Sequence, residues 1–327
     1  MIEHVKRFLQ LHWDKKSPLL LGYSGGPDSK ALLYALIKNG SYPIHIAHVD
    51  HGWREESRDE AADIEEEMKT LRLPFHSARL SGLKPKECEA REARLSFFSS
   101  LFEKIPFQAL LLAHQAEDVA ETSLKRIFEG AHLPFLGGMK QIGRIYEMEV
   151  WRPLLQKTKK EILSFLQEHS LKPFFDKTNQ DPLYLRSRLR EEIFPFLRKS
   201  FGKEIEENLY TLSERSFELQ NYLTENTKEA IIRTFPEGKA ISCKGFARIE
   251  QRYILQAQAK EVGMTWTRPV LEKVLDWVED PRFMRHATLQ SHWISSGRGW
   301  VVLLKGRPRP GFLRSVIDYK SKVCNNL

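Results

Sequence analysis

Four short apolar stretches, at residues 19–23, 44–49, 75–78 and 109–113, alternate with helix-forming segments, and this rhythm restricts the fold more than any other feature of the chain. Crossovers of that kind build a parallel sheet covered by helices on both faces. Asp28 or Ser29 caps a helical run at 31–38, Ser57 precedes one at 59–71, and a charged, alanine-containing segment covers 87–104. A fifth strand is expected at 144–151, then a helix at 157–169, an extended stretch at 174–176, and closure of the sheet domain near residue 200.

Beyond that point the pattern changes. Residues 204–234 read as one long helix or a pair, 248–278 are helical by periodicity, and 293–294 and 300–304 revert to β character around a reversal at Ser295-Ser296-Gly297-Arg298-Gly299. The expectation is a doubly wound α/β domain over residues 1–203 and a smaller, mainly helical region over 204–327, in keeping with about two domains for 327 residues. No apolar run nears the roughly 18 residues of a membrane helix, and residues 1–9 mix charge with apolar positions as a surface helix does. Cys88, Cys243 and Cys324 form no CxxC pair, which excludes a zinc ribbon or local redox motif and makes a reducing cytoplasm the simplest home.

The net charge of +8 favours acidic partners. From residue 281 onward there are nine basic residues, Arg282, Arg285, Arg298, Lys305, Arg307, Arg309, Arg314, Lys320 and Lys322, against the single acid Asp318. With Trp293 and Trp300 interleaved, this stretch reads either as a solvated terminus or as a phosphate-contacting surface.

The strongest local signal is Ser24-Gly25-Gly26-Pro27-Asp28-Ser29, set between the first strand and the helix after it. Two glycines allow the backbone N–H groups to converge, the serines add donors, and a helix N-terminus favours negative charge, so a phosphate fits. The GxxxxGK[ST] spacing of a Walker loop is missing, and with it a lysine placed to reach terminal phosphates. Asp28 would repel a phosphate unless a divalent cation bridged them, which points to Mg²⁺. The alternative is a plain strand-to-helix turn capped by Asp28.

Other groups admit two readings each. His45, His48, Asp50 and His51 suggest metal ligation, but strand alternation sends His45 and His48 to opposite faces, favouring a strand-end loop. Glu117, Asp118 and Glu121 share a face at a helix start, either as dipole pairing or as a pocket for Mg²⁺ or an amine. Arg186 and Arg190, and likewise Arg91 and Arg94, present paired guanidiniums suited to phosphate or simply to solvent.

Ser24-Gly25-Gly26-Pro27-Asp28-Ser29 resembles the SGGxDS loop of the PP-loop ATP pyrophosphatases. Further segments follow in the order seen in tRNA(Ile)-lysidine synthetases: His48-Val49-Asp50-His51-Gly52-Trp53-Arg54; Ala90-Arg91 with Arg94; His114-Gln115-Ala116-Glu117-Asp118 with Glu121-Thr122; and Arg152-Pro153-Leu154. Asp176 to Asn179, then Arg186 to Arg190 followed by Pro195, complete the series, so the resemblance covers about residues 19–197. The chain departs from the family pattern at Glu117, where Asp is usual, at Phe175, where an acid often stands, and at Ser187, where Asn is usual. It resembles the compact form of the family, with a reduced C-terminal region.

The resemblance implies a PP-loop ATP-binding catalytic domain over 1–203, with a basic tRNA-binding region over 204–327. ATP is expected where the strand order reverses, with Ser24, Gly25, Gly26, Pro27, Asp28, Ser29, His48, Arg91, Arg94 and His114 as its contacts and Asp28 as the Mg²⁺ ligand. Asp28, Asp118, Glu121 and Asp176 are the expected catalytic residues. By resemblance, the C2 oxygen of the wobble cytidine in the CAU anticodon of tRNA(Ile) attacks the α-phosphate, pyrophosphate leaves, and the ε-amine of L-lysine then displaces AMP to give lysidine. A homodimer is among the assemblies this allows. Two other readings stand beside it: a tRNA thiolase of the same superfamily, which should show the paired cysteines this chain lacks, and a non-catalytic nucleic-acid binder with a degenerate nucleotide site. A cytidine deaminase is excluded by the missing HxE and PCxxC signature.

Overall fold

The computed structural model describes residues 1–40, 42–50, 52, 57–80, 87–174, 185–280 and 285–309. His51, Trp53, Arg54, Phe175, Asp176, Asn179, Arg282, Arg314, Asp318, Lys320 and Lys322 therefore lie outside the described residues. The chain divides into two compact units, Met1–Ser216 and Phe217–Leu327.

In the first unit, α1 (Ile2–His12) leads into β1 (Leu19–Gly22), α2 (Pro27–Lys38), β2 (Ile44–Asp50), α3 (Ser57–Thr70), β3 (Phe75–Arg79), α4 (Glu87–Phe102), β4 (Ala109–Leu111) and α5 (Ala116–Phe128). The apolar stretches thus form strands, and the segments between them form crossover helices. The single strand expected at 144–151 is instead a hairpin, β5 (Ile142–Ile145) and β6 (Met148–Trp151), because Tyr146 takes a left-handed turn at φ 51°. Next come α6 (Lys159–Glu168), a short helical turn α7 (Leu185–Arg188), a π-helical turn at Leu189–Ile193, α8 (Phe194–Phe201) and α9 (Ile205–Asn226), within which the boundary between units falls.

The strands order as β3-β2-β1-β4-β6-β5, parallel except for β5. Leu19 and Leu21 face one way, into a core with Leu32, Leu36, Ile46, Ile64, Ile162 and Phe165, whereas Leu20 faces the other, with Leu95, Phe98, Phe107 and Val150. Both faces are buried, which explains why β1 is an unbroken apolar run. The order reverses between β1 and β4, and a doubly wound sheet binds ligands beyond the carboxyl ends of such a pair.

The second unit holds more strand than its sequence suggests. Between α9 and α10 (Arg248–Glu261) lie β7 (Ile232–Phe235) and β8 (Gly238–Ser242); after α11 (Arg268–Val278) come β9 (Arg285–Leu289), β10 (His292–Gly297) and β11 (Trp300–Lys305). They form an antiparallel sheet ordered β7-β8-β11-β10-β9. The expected terminal hairpin is β10–β11, joined through Arg298 and Gly299 at positive φ. Ile241, Ile294, Val301 and Leu303 on one sheet face pack with Leu255, Leu271 and Leu275 of α10 and α11.

Candidate active site

Ser24-Gly25-Gly26 leaves β1 and enters α2, with Gly26 as N-cap and Pro27 in the first turn. Pro27 suits that position because its missing N–H would be an orphan there. Gly26 has no side chain to cap the N–H groups behind it, so they remain disposed toward an anion. Gly25 sits at φ +78°, where a Cβ would stand 2.9 Å from Phe174 Cδ2 and 3.0 Å from Ile64 Cδ1. Glycine is required by both conformation and space. Ser29 Oγ donates to Gly26 O at 3.0 Å and lies 3.2 Å from Ser24 Oγ, while Phe174 N donates to Gly25 O at 3.0 Å.

Across the crevice, α5 opens with a capping box. Gln115 Oε1 accepts from Glu117 N at 2.8 Å, and Asp118 Oδ2 accepts from Gln115 N at 2.9 Å. The acidic face expected here forms, yet it is already occupied. Arg190 Nη2 donates to Asp118 Oδ1 at 2.8 Å and to Glu121 Oε2 at 3.1 Å, and its Nε donates to Glu121 Oε1. Arg186 Nε stands 3.9 Å from Glu121 Oε2. Arg186 and Arg190 do share a face, but it meets carboxylates. Glu121 is 1% exposed; burial pushes its carboxyl up to about 7, with Arg190 opposing, while Glu121 and Asp118 hold the guanidinium firmly protonated.

Lys159, the first residue of α6, joins the two sides. Its Nζ donates to Asp28 Oδ1 at 2.7 Å, and its backbone N donates to Glu117 Oε1 and Oε2 at 2.9 and 3.0 Å. Burial raises the Asp28 carboxyl above its ordinary range, Lys159 pulls it back, and Asp118 raises it again. Nothing in the sequence marked Lys159 out from Lys157 and Lys160.

His114, at the end of β4, has a buried Nδ1 with no hydrogen-bond partner, and burial lowers its pKa to about 4. Arg152, Arg186 and Arg94 all act on it electrostatically in the same direction. Arg152 is itself buried; its Nη1 donates to Lys140 O at 2.9 Å, its Nε has no partner, and burial lowers its pKa to about 10, with Arg91 adding to the effect. Arg91 and Arg94 are exposed on α4. Thus Arg91, Arg94, Arg152 and Arg186 place positive charge around a neutral His114, an arrangement suited to a polyanion.

His48 is buried with Nδ1 2.9 Å from Tyr23 O, just before the loop, and burial lowers its pKa. His45 turns away to His76, Nδ1 to Nε2 3.0 Å, as strand alternation requires. Asp50 caps its own turn, Oδ1 accepting from Gly52 N at 2.8 Å. Among the described residues no group of three His, Cys, Asp or Glu side chains could enclose a metal. Asp28 nonetheless fits Mg²⁺, which is held by one or two carboxylates together with substrate phosphates, and a cationic ammonium already rests on its oxygen.

The PP-loop domain family matches residues 1–197. The tRNA(Ile)-lysidine synthase of Protochlamydia amoebophila (strain UWE25) is 34% identical over 292 residues, 85% of this chain, which spans only 63% of that protein. That of Chlamydia muridarum (strain MoPn / Nigg) is 40% identical over 217 residues, 65% of this chain and 67% of that protein. Among solved structures, the U34-tRNA thiolase NcsA from Methanococcus maripaludis superposes with a TM-score of 0.53 at 18% identity, covering 68% of this chain and 80% of that one, a likeness of fold. Between the loop that opens α2 and a relative 40% identical across two thirds of its own length, the conclusion is direct: the chain belongs to the tRNA(Ile)-lysidine synthase family of PP-loop proteins.

Proposed function

We propose that this chain uses ATP to attach L-lysine to C2 of the wobble cytidine of tRNA(Ile) bearing a CAU anticodon. The observation that carries the reading is the crevice itself, where a phosphate-accepting loop at the end of β1 faces an acidic pocket at the end of β4, bridged by Lys159. The α2 N-terminus and Ser24 receive phosphate oxygens, and Asp28 holds Mg²⁺, which supplies charge neutralisation at the phosphates when bound. Arg91, Arg94, Arg152 and His114 receive the polyanionic substrates.

The cytidine C2 oxygen bonds to the α-phosphorus and the bond to pyrophosphate breaks. The lysine amine, having lost a proton, then bonds to C2 while AMP departs with that oxygen. Asp118, Glu121 and Asp176 are the carboxylates for the amine, and Arg190 must share or release the first two for an ammonium to reach them. Residues 1–203 serve as the catalytic domain and 204–327 as the tRNA-binding region. A cytoplasmic location and a homodimer belong to the same proposal; no helix among the described residues is long and apolar enough to cross a membrane.

Incubation with ATP, labelled lysine and total tRNA tests the reading. Label is expected in lysidine of tRNA(Ile), with one AMP and one pyrophosphate per nucleoside. ATP binding without pyrophosphate release would instead favour the degenerate binder, and sulfur rather than lysine incorporation the thiolase.

A further inference from the structure

The loop after β1 carries no lysine at the Walker position, yet the fold delivers one from 131 residues away. Lys159 occupies the first turn of α6, where a positive charge opposes the helix dipole, so its placement does not serve its own helix. The cap of that helix is provided independently by Thr158 and Glu161, with Thr158 N donating to Glu161 Oε2 at 2.8 Å. Its backbone N–H fixes it against Glu117, and its side chain crosses to Asp28 at the mouth of the phosphate loop. Both side chains stay in reach of solvent, 36% exposed for Lys159 and 29% for Asp28, so the pair can open without unpacking the core.

We infer that Lys159 is a phosphate-binding residue of this active site, paired with Asp28 until a nucleotide arrives. It transfers its ammonium to the β- and γ-phosphates when a divalent cation takes over the carboxylate. An ammonium is a compact charge with rotatable donors, able to change partner from a carboxylate to a phosphate oxygen by rotating its stem. Parked on Asp28, Lys159 offsets a charge that would otherwise repel the incoming nucleotide. Transferred, it follows the pyrophosphate on which negative charge accumulates as the α–β bond breaks. The inference rests on reading the loop as a nucleotide site.

The test is calorimetric binding of ATP, pyrophosphate and AMP to wild type, Lys159→Met and Lys159→Arg, each with and without Mg²⁺. Because Glu117 is held by the backbone N–H of residue 159, both variants keep that contact; Lys159→Arg also keeps the charge and serves if Lys159→Met folds poorly. With Mg²⁺, Lys159→Met should lose about ten- to a hundredfold in affinity for ATP and pyrophosphate, the worth of a charge-assisted hydrogen bond, with AMP within about twofold and Lys159→Arg between the two. Without Mg²⁺ the Lys159→Met deficit should shrink to the repulsion from the uncompensated Asp28, since in wild type the lysine stays on that carboxylate. Equal losses for AMP and ATP, or none, would overturn the assignment, and a deficit no smaller without Mg²⁺ than with it would overturn the transfer. Failure of wild type to bind ATP at all would sink the nucleotide-site reading instead.

Discussion

Replacing Arg190 with methionine should destabilise the first unit in a way that depends on pH. Arg190 meets both oxygens of Glu121, which is 1% exposed, and one oxygen of Asp118. Asp118 keeps a partner after the change, because Oδ2 still accepts from Gln115 N. The loss therefore falls on Glu121. Removing one partner of a buried pair costs about 3–5 kcal/mol, but the Arg190 side chain is 41% exposed, and solvent access brings the expectation to about 2–3 kcal/mol. For a unit of this size that is a fall in Tm of roughly 4–12 °C. Burial already holds the Glu121 carboxyl near 7, above its ordinary 4.5, and without Arg190 it rises further. A carboxyl raised in the folded state favours folding at low pH and costs stability as pH rises through the folded value, so the deficit should widen from about pH 5.5 to about pH 8. Urea unfolding of wild type, Arg190→Met, Glu121→Gln and the double variant at both pH values closes the cycle. The double variant should recover at least half of the Arg190→Met loss. A deficit under about 0.5 kcal/mol, or a double variant no better than Arg190→Met, would refute the reasoning.

Gly25→Ala should cost about 1–3 kcal/mol in urea unfolding and abolish ATP binding, whereas Gly26→Ala, at φ −70° with its nearest obstacle Ser24 Oγ 3.4 Å away, should be near neutral for stability. His114 titrates near 4 rather than 6.5, so it contributes stability above about pH 6.5 that is lost as pH falls toward 4. His114→Asn should flatten that acid limb by about 3 kcal/mol in unfolding measured across the range. Removing residues 310–327 takes away Arg314, Lys320 and Lys322 while sparing β9 to β11, which a cut before residue 281 would delete along with the buried Ile294, Val301 and Leu303. If those side chains touch phosphates, the slope of log affinity for tRNA against log salt should fall by roughly two to three units, and an unchanged slope would make them bystanders.

What the sequence disclosed was local. The loop at residues 24–29 was readable because its strand, glycines, serines and helix start are contiguous, and β1 and β4 because burial on both faces makes them continuous apolar runs. Lys159 was not readable, since it gains its meaning only when the crossovers place α6 beside α2. Arg190 was legible as sharing a face with Arg186 but not in its partner, because an arginine facing phosphate and one facing carboxylate have the same spacing. In the second unit β7 and β8 were hidden because Ile232–Phe235 and Gly238–Ser242 are four and five residues long and mixed in polarity, too short to outweigh the helical periodicity around them.

The reversal of strand order between β1 and β4 has a consequence for descent. Its crevice exists because the two windings of the chain leave in opposite directions, a matter of connectivity that no substitution at Asp28, Glu121 or Arg190 would undo. Those three side chains sit on that gap as tenants rather than as its walls. A descendant that lost every one of them would still own a cleft with a helix N-terminus aimed into it. Loss of catalysis and loss of anion binding are thus separable events in such a lineage, and new chemistry is expected to arise by re-equipping the rim while the sheet beneath it stays as it is.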